Sequence, residues 1–131
     1  MARAIPSCAA AAVRAFSRAR ALEITDGDSS LLVELTDVFL SDTPDLMQSL
    51  RRAVHDVQTN DVRHLAHKIK GMLGAIGADS GSAVAADLER AARHEQTGFY
   101  PEGLRRLESI METLGRIMRT PEWRGTVNPP P

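Results

Sequence analysis

Apolar residues recur at intervals of three and four between Ser29 and Arg119, which is the spacing of one face of an α-helix. The last run of this kind begins at Leu104 and reaches Met118. No stretch of useful length alternates apolar and polar residues as a half-buried strand does. The pattern therefore predicts an all-α protein. The predicted helices end near Ser41, Gln58, Ile76, His94 and Pro121.

Helix breakers divide this region into segments. Asp42-Thr43-Pro44 combines an N-cap residue with a proline at the first helical position, so we expect one helix to end near Ser41 and a second to begin at Pro44. Asn60 is expected to cap the third helix, and the chain should break or bend sharply over Gly77–Ser80. Because short loops make neighbouring helices antiparallel, the predicted fold is an antiparallel up-and-down four-helix bundle with an additional N-terminal helix or linker.

The two ends of the chain differ from the middle, so we divide it after residues 28 and 120. Residues 1–28 are rich in alanine and arginine and contain no acid before Glu23. This composition superficially resembles an organellar targeting peptide, but we interpret the segment as a linker or an extra helix from Ala9 to Leu22. Residues 29–120 form the predicted bundle. Residues 121–131, which end in Asn128-Pro129-Pro130-Pro131, are expected to be a flexible tail.

Composition narrows the classes of function. The 16 basic and 17 acidic residues give a formal net charge of −1, which favours neither nucleic-acid binding nor direct membrane binding. No apolar run is long enough to span a bilayer. The single cysteine, Cys8, cannot form an internal disulfide, so we expect a reducing compartment and a cytoplasmic protein.

The predicted third helix has one apolar face and one polar face. With about 100° per residue and Ile69 at the centre, His67 falls at about 160°, almost opposite the core. The apolar stripe around Ile69 consists of Val62, Leu65, Ala66, Met72, Leu73 and Ile76. We therefore expect the His67 imidazole to lie in water rather than in the core. An ordinary solvated surface histidine is the alternative interpretation.

Two glycines and a lysine share the outer face with His67. Gly71 lies one turn after His67 and Gly74 two turns after it, and each costs about 1 kcal/mol relative to alanine inside a helix. We interpret them as clearance for a partner that approaches the helix backbone; the alternatives are tolerated flaws or a frayed helix end. Lys70 lies about 60° around the helix from His67. It could meet the negative charge of a group on the imidazole, or serve only as a solubilising charge.

The third helix also carries a recognisable motif. Ala66-His67-Lys68-Ile69-Lys70-Gly71, followed by Gly77-Ala78, resembles the signature of histidine-containing phosphotransfer (HPt) domains. One departure is Met72-Leu73, where the family often has small polar residues. Both side chains fall on the core face, so we expect the departure to leave the chemistry intact.

The flanking sequence agrees with the motif. Phe39-Leu40-Ser41-Asp42-Thr43-Pro44 is similar to the passage between the first two helices of HPt domains. Leu88-Glu89 with Arg93 resembles the helix that follows the histidine in the family. The resemblance covers about Ser29 to Arg119.

The resemblance implies specific roles for several side chains. His67 would be the phosphoacceptor, with the phosphoryl group on Nε2, and Glu89 would orient the imidazole through Nδ1. Lys70 would meet the phosphoryl charge. The residues predicted to contact the partner are His64, Gly71, Gly74 and Arg93. The partners implied are receiver domains of response regulators or of a hybrid sensor kinase.

A phosphoryl carrier needs little catalytic machinery of its own. The sequence has no Gly-rich phosphate loop and is too short for a kinase catalytic domain, so we do not expect an enzyme. No cofactor is expected on this chain. In the family the receiver domain supplies the Mg²⁺ ion and the aspartate.

Two other functions and two contexts remain open at this point. A helical adaptor could bind signalling partners through the same face without phosphorylation. His64 and His67 could in principle hold a metal ion, but both point outward and no carboxylate or cysteine completes the set, so no metal is expected. The chain is either a free relay protein or the C-terminal domain of a hybrid sensor kinase, which would tether it to the inner membrane.

Overall fold

In the computed structural model, residues 16–125 of the 131-residue chain are described. The helices are α1 (Arg18–Ile24), α2 (Ser29–His55), α3 (Thr59–Ala75), α4 (Asp79–Arg93), α5 (Tyr100–Met118) and α6 (Pro121–Arg124), with a 3₁₀ turn at Thr97–Phe99. No strand occurs in this part of the chain. The predicted all-α fold is confirmed.

Helices α2 to α5 form a four-helix bundle. α3 packs against α2 and α4, and α5 packs against the other sides of α2 and α4, which closes the ring. The short turns at residues 56–58 and 76–78 make α3 antiparallel to both of its neighbours. One apolar stripe from each helix lines the shared core. Large side chains buried in this core include Leu32, Leu50, Val62, Ile69, Leu73, Leu88, Leu107, Ile110, Leu114 and Met118.

Helix α2 runs without interruption through Pro44, so the predicted break at Asp42-Thr43-Pro44 is wrong. Proline cannot donate to the carbonyl one turn before it, and a proline inside a helix costs about 3 kcal/mol. Burial favours the continuous helix, because Phe39 and Met47 lie on one buried face that spans the proline. The buried Thr43 hydroxyl donates to the Phe39 carbonyl at 2.8 Å. The two predicted helices are therefore one.

The turn between α2 and α3 also differs from the prediction. α3 begins at Thr59 with Gln58 in the N-cap position, so Asn60 lies in the first turn and is not the cap. Val57 takes a left-handed conformation, with φ at 51°. The Gln58 N–H then donates to the Ala53 carbonyl at 2.8 Å, which closes the end of α2. Gln58 thus completes the C-terminal cap of α2 and is the N-cap residue of α3.

The turn between α3 and α4 depends on a glycine. Gly77 has φ at 80°, a conformation that residues with a side chain rarely adopt. The Ala78 N–H donates to the Leu73 carbonyl at 2.9 Å. α4 begins at Asp79, so the interruption is shorter than the predicted Gly77–Ser80 segment. The tight turn brings α4 alongside the C-terminal half of α3.

The two flanks of the bundle meet at one end of it. The Phe16 and Trp123 rings are stacked, with centroids 4.7 Å apart. The Trp123 indole N–H donates to the Thr36 hydroxyl of α2 at 2.9 Å. Arg18 donates to the Trp123 carbonyl at 2.7 Å. Both aromatic rings are buried, so α1 and α6 are attached to the bundle by apolar burial as well as by hydrogen bonds.

These contacts give α1 and α6 a structural role that is not predicted from the sequence. The sequence predicts a flexible tail from residue 121, but residues 121–124 form α6. Burial of the Trp123 side chain stabilises this short helix against the bundle. The extra helix predicted from Ala9 to Leu22 has its described counterpart in α1. Residues 1–15, with Cys8, and residues 126–131 lie outside the described residues.

We predict that the end of the bundle depends on Trp123. Trp123→Ala should lower the free energy of unfolding by about 3–5 kcal/mol, because it removes a large buried ring. Urea unfolding followed by circular dichroism measures this change. Val38→Ala is the matched control, since Val38 is 53% exposed, and it should change stability by less than about 0.5 kcal/mol. A similarly small effect of Trp123→Ala would mean that α6 contributes little to the fold.

Candidate functional site

Helix α3 presents His67 to solvent. The His67 side chain is 67% exposed, which confirms the orientation predicted from the helical projection. The opposite, fully buried face consists of Val62, Ala66, Ile69 and Leu73. Leu65 and Met72, which the projection places in the stripe, are partly buried at its edges.

Helix α4 brings a buried carboxylate to the ring. The Glu89 side chain is only 8% exposed, and its Oε2 lies 3.0 Å from Nδ1 of His67. Ala85 and Ala92, one turn before and one turn after Glu89, are both buried and small. They allow this side of α4 to approach its neighbours closely. A carboxylate in such a place is stable only when it is paired or hydrogen-bonded.

Two cations complete the surroundings of this carboxylate. Nζ of Lys70, on α3, lies 2.7 Å from Oε1 of Glu89. Nη2 of Arg93, one turn after Glu89 on α4, lies 3.1 Å from Oε2. The Lys70 side chain is 34% exposed and that of Arg93 is 57% exposed. The site therefore consists of one buried anion whose three partners all lie nearer the surface.

The charge state of Glu89 determines which ring nitrogen of His67 carries the hydrogen. The hydrogen bond from Lys70 lowers the pKa of Glu89 from its usual value of 4.5, and the bond from His67 adds to this against the opposing effect of burial. An ionised carboxylate only accepts hydrogen bonds, so the Nδ1 of His67 must donate to it. In a neutral ring the lone pair then lies on Nε2. The site holds an exposed imidazole with its free nitrogen outward.

Comparison with protein families gives this geometry a context. A family model described as the Hpt domain matches residues 34–117, which include all of α3 and α4. The chain belongs to the Hpt domain family. Hpt domains are phosphocarriers without kinase catalytic activity, take part in phosphorelay histidine phosphotransfer and generally interact with receiver domains. Searches of curated proteins and of solved structures gave no significant match.

The two glycines near the histidine of this Hpt domain have different surroundings. A Cβ added at Gly71 would have no atom within 4 Å beyond its own stretch of helix, and the position is exposed to solvent. A Cβ added at Gly74 would lie 3.7 Å from Oγ of Ser82 on α4. That hydroxyl also donates to the Lys70 carbonyl at 3.0 Å. Gly71 thus lies on a free surface, whereas Gly74 lies where α3 meets α4.

Among the described residues, His64 makes no ion pair with Glu89. It precedes His67 by one turn, and its Nε2 is 3.4 Å from Arg63. With Arg52, Asp61 and Leu65 it lines a cavity of about 380 Å³ between α2 and α3. The structure therefore brings together His67, Glu89, Lys70 and Arg93, and places His64 at the α2 side of α3.

Metal binding and membrane insertion are two further roles that the described residues bear on. Within residues 16–125, no group of three or more histidine, cysteine, aspartate or glutamate side chains is arranged to hold a metal ion. Across the same residues, every helix is too short or too polar to cross a membrane.

The pairing of Lys70 and Arg93 with Glu89 is not predicted from the sequence. From the sequence, Lys70 is expected to meet a phosphoryl group, and Glu89 is expected to contact only His67. The spacing of Glu89 and Arg93 by four residues on one helix is a usable signal for their ion pair. The approach of Lys70 depends on the packing of α3 against α4, and no local spacing shows it.

We predict that the lowered pKa of Glu89 appears in the pH dependence of stability. Its ionised form contributes stability that is complete above the ordinary pKa of 4.5 and is lost as the pH falls through the lower folded value. Glu89→Gln should therefore destabilise the protein at neutral pH and by progressively less below about pH 4.5. Urea unfolding at a series of pH values measures this difference.

Glu34→Gln is the matched control for this experiment, because it removes an exposed carboxylate from α2. Its stability should stay close to that of the wild type across the series. A constant difference between Glu89→Gln and wild type at every pH would contradict the stabilised carboxylate.

Proposed function

We propose that this Hpt domain carries a phosphoryl group on Nε2 of His67 and exchanges it with aspartates of receiver domains. The observation that supports this best is the His67–Glu89 pair. The ring is 67% exposed, yet its Nδ1 lies 3.0 Å from a carboxylate that is 8% exposed. A ring held at one nitrogen and open at the other is suited to attack a group brought by a partner.

The proposed transfer conserves atoms and charge without a cofactor on this chain. The Nε2 lone pair of His67 forms a bond to the phosphorus of an aspartyl phosphate, and the bond from phosphorus to the aspartyl oxygen breaks. The electron pair of that bond returns to the aspartate, which leaves as a carboxylate. The ring gains positive charge while its Nδ1–H still donates to Glu89, and the carboxylate stabilises this charge. The reverse transfer follows the same path.

Charged groups on both sides of the transfer stabilise the phosphoryl group. The receiver would bring a Mg²⁺ ion and the aspartate, and this chain would bring Lys70 and Arg93. Both cations contact the Glu89 carboxylate, which in turn contacts the His67 ring, and both side chains are partly exposed. They can turn toward a phosphoryl group on Nε2, because long side chains at the surface reorient easily.

The partner would approach over the exposed face of α3 that carries His67 and Gly71. Gly71 leaves open space one turn from His67, so a receiver loop can reach the ring without displacing a side chain. Arg93 and Arg63 line a cavity of about 590 Å³ beside this face. We propose receivers of response regulators or of a hybrid sensor kinase as the partners, and the cytoplasm as the place of exchange.

We predict that His67 alone accepts the phosphoryl group. His67→Gln should abolish uptake from a receiver domain that has been charged with acetyl phosphate, and leave the helical circular dichroism unchanged, because the side chain is exposed. Acid-labile phosphate on the separated protein measures uptake. His64→Gln is the matched control and should still accept the group. Labelling of the His67→Gln protein would contradict the assignment, and failure of the wild type to accept phosphate would favour a helical adaptor.

We predict that Gly71 provides clearance for the receiver. Gly71→Gln should slow transfer at least about tenfold, because its side chain would block the approach of the partner. A tenfold loss corresponds to about 1.4 kcal/mol in the free energy of reaching the transfer complex. Gly71→Ala should raise the free energy of unfolding by about 1 kcal/mol, because alanine is the better helix former and the site is open. Normal transfer by the Gly71→Gln protein would show that receivers do not approach here.

A further inference from the structure

The carboxylate that orients the imidazole creates a problem for the reaction. A negative charge beside Nδ1 of His67 favours a positive charge on the ring. The simplest source of that charge is a proton on Nε2, which removes the lone pair that would attack phosphorus. Orientation by Glu89 therefore conflicts with reactivity, unless other groups balance the charge of the carboxylate.

The arrangement around Glu89 provides this balance. Oε1 of Glu89 pairs with Lys70 at 2.7 Å, the shortest of its three contacts. Oε2 is shared between Nδ1 of His67 at 3.0 Å and Arg93 at 3.1 Å. One negative charge thus faces two permanent positive charges before the imidazole is counted. A proton on Nε2 would place a third positive charge around the same carboxylate.

We propose that Lys70 and Arg93 are positioning residues that act through Glu89: they let its carboxylate orient His67 without attracting a proton to Nε2. The inference rests on the proposed function. The same two cations attract a phosphoryl group, since its oxygens are negative. They oppose a proton on Nε2 and favour a phosphoryl group there, so the cluster discriminates between the two electrophiles.

Other charged groups near the two helices are paired elsewhere or exposed. On α4, Asp87 pairs with Arg90, and on α5, Glu102 pairs with Arg105 and Arg106. On α2, Arg51 pairs with Glu108 of α5, and His55 pairs with Asp56, the residue that follows the helix. On α3 itself, Arg63, His64 and Lys68 lie on the outer face without an ion pair to Glu89 among the described residues. Lys70 and Arg93 are therefore the cations that act on this carboxylate directly.

The ring of His67 can be followed without any transfer reaction. Nitrogen-15 NMR of the imidazole reports which nitrogen carries the hydrogen and the pH at which the second proton binds. In the Lys70→Met protein the second proton should bind at a higher pH than in the wild type, since one of the two cations beside Glu89 is removed. Lys70→Arg should restore the wild-type midpoint. Lys68→Met, which removes an exposed charge from the same helix, is the matched control and should leave the midpoint in place.

A double-substitution cycle shows whether Lys70 acts through Glu89. In a Glu89→Gln background the carboxylate charge is absent, so adding Lys70→Met should change the midpoint much less than it does in the wild type. An equal change in both backgrounds would mean that Lys70 acts on the ring directly, and would overturn the proposal. So would an unchanged midpoint in the Lys70→Met protein. Arg93→Met, at a more exposed position, should shift the midpoint in the same direction. It replaces Lys70→Met in this experiment if the Lys70→Met protein does not fold.

The pH profile of phosphoryl uptake links the cluster to the reaction. For the Lys70→Met protein the acid limb of the rate should move to higher pH by the same amount as the ring midpoint. A uniform loss of rate at every pH, with an unchanged acid limb, would indicate contact with the phosphoryl group alone and would overturn the positioning role. Failure of the wild type to accept phosphate would reject the proposed function, whereas the NMR midpoints would still test the cluster by themselves.

Discussion

A carboxylate buried between two helices must be paired, and this requirement organises the site of the Hpt domain. Glu89 meets it with three partners, Lys70, His67 and Arg93, each of which extends from a position near the surface. The imidazole is thereby fixed at one nitrogen while most of its surface remains in water. Exposure and orientation usually oppose each other, because a side chain in solvent has few neighbours to hold it. Here the buried partner supplies the orientation.

The bundle determines how close the histidine and the carboxylate are. A Cβ added at Gly81 would lie 3.1 Å from Ile110 and 3.3 Å from Leu73, so α4 packs more tightly against α5 and α3 than a larger residue would permit. The glycine turn at Gly77 aligns the two helices, and the bond from Ser82 to the Lys70 carbonyl joins them near the site. The relative position of α3 and α4 therefore rests on backbone packing rather than on the long side chains of Lys70 and Arg93.

The sequence predicts the parts of this structure that depend on local periodicity. The helical projection places His67 in solvent correctly, since the stripe around Ile69 is buried. The break predicted at Pro44 fails because a local rule about proline is overridden by a buried face that continues through it. The packed Trp123 and the Lys70–Glu89 pair escape prediction for a related reason. Both depend on contacts between distant segments, and no residue spacing encodes those contacts.

The most direct test is to find which nitrogen of the protein carries the phosphoryl group. The wild-type chain, labelled with nitrogen-15 and phosphorylated by a charged receiver domain, can be examined by NMR for coupling between phosphorus and the ring nitrogens. We expect coupling to Nε2 of His67, because Nδ1 is held by Glu89. Coupling to Nδ1 of His67, or to a nitrogen of His55, His64 or His94, would contradict it.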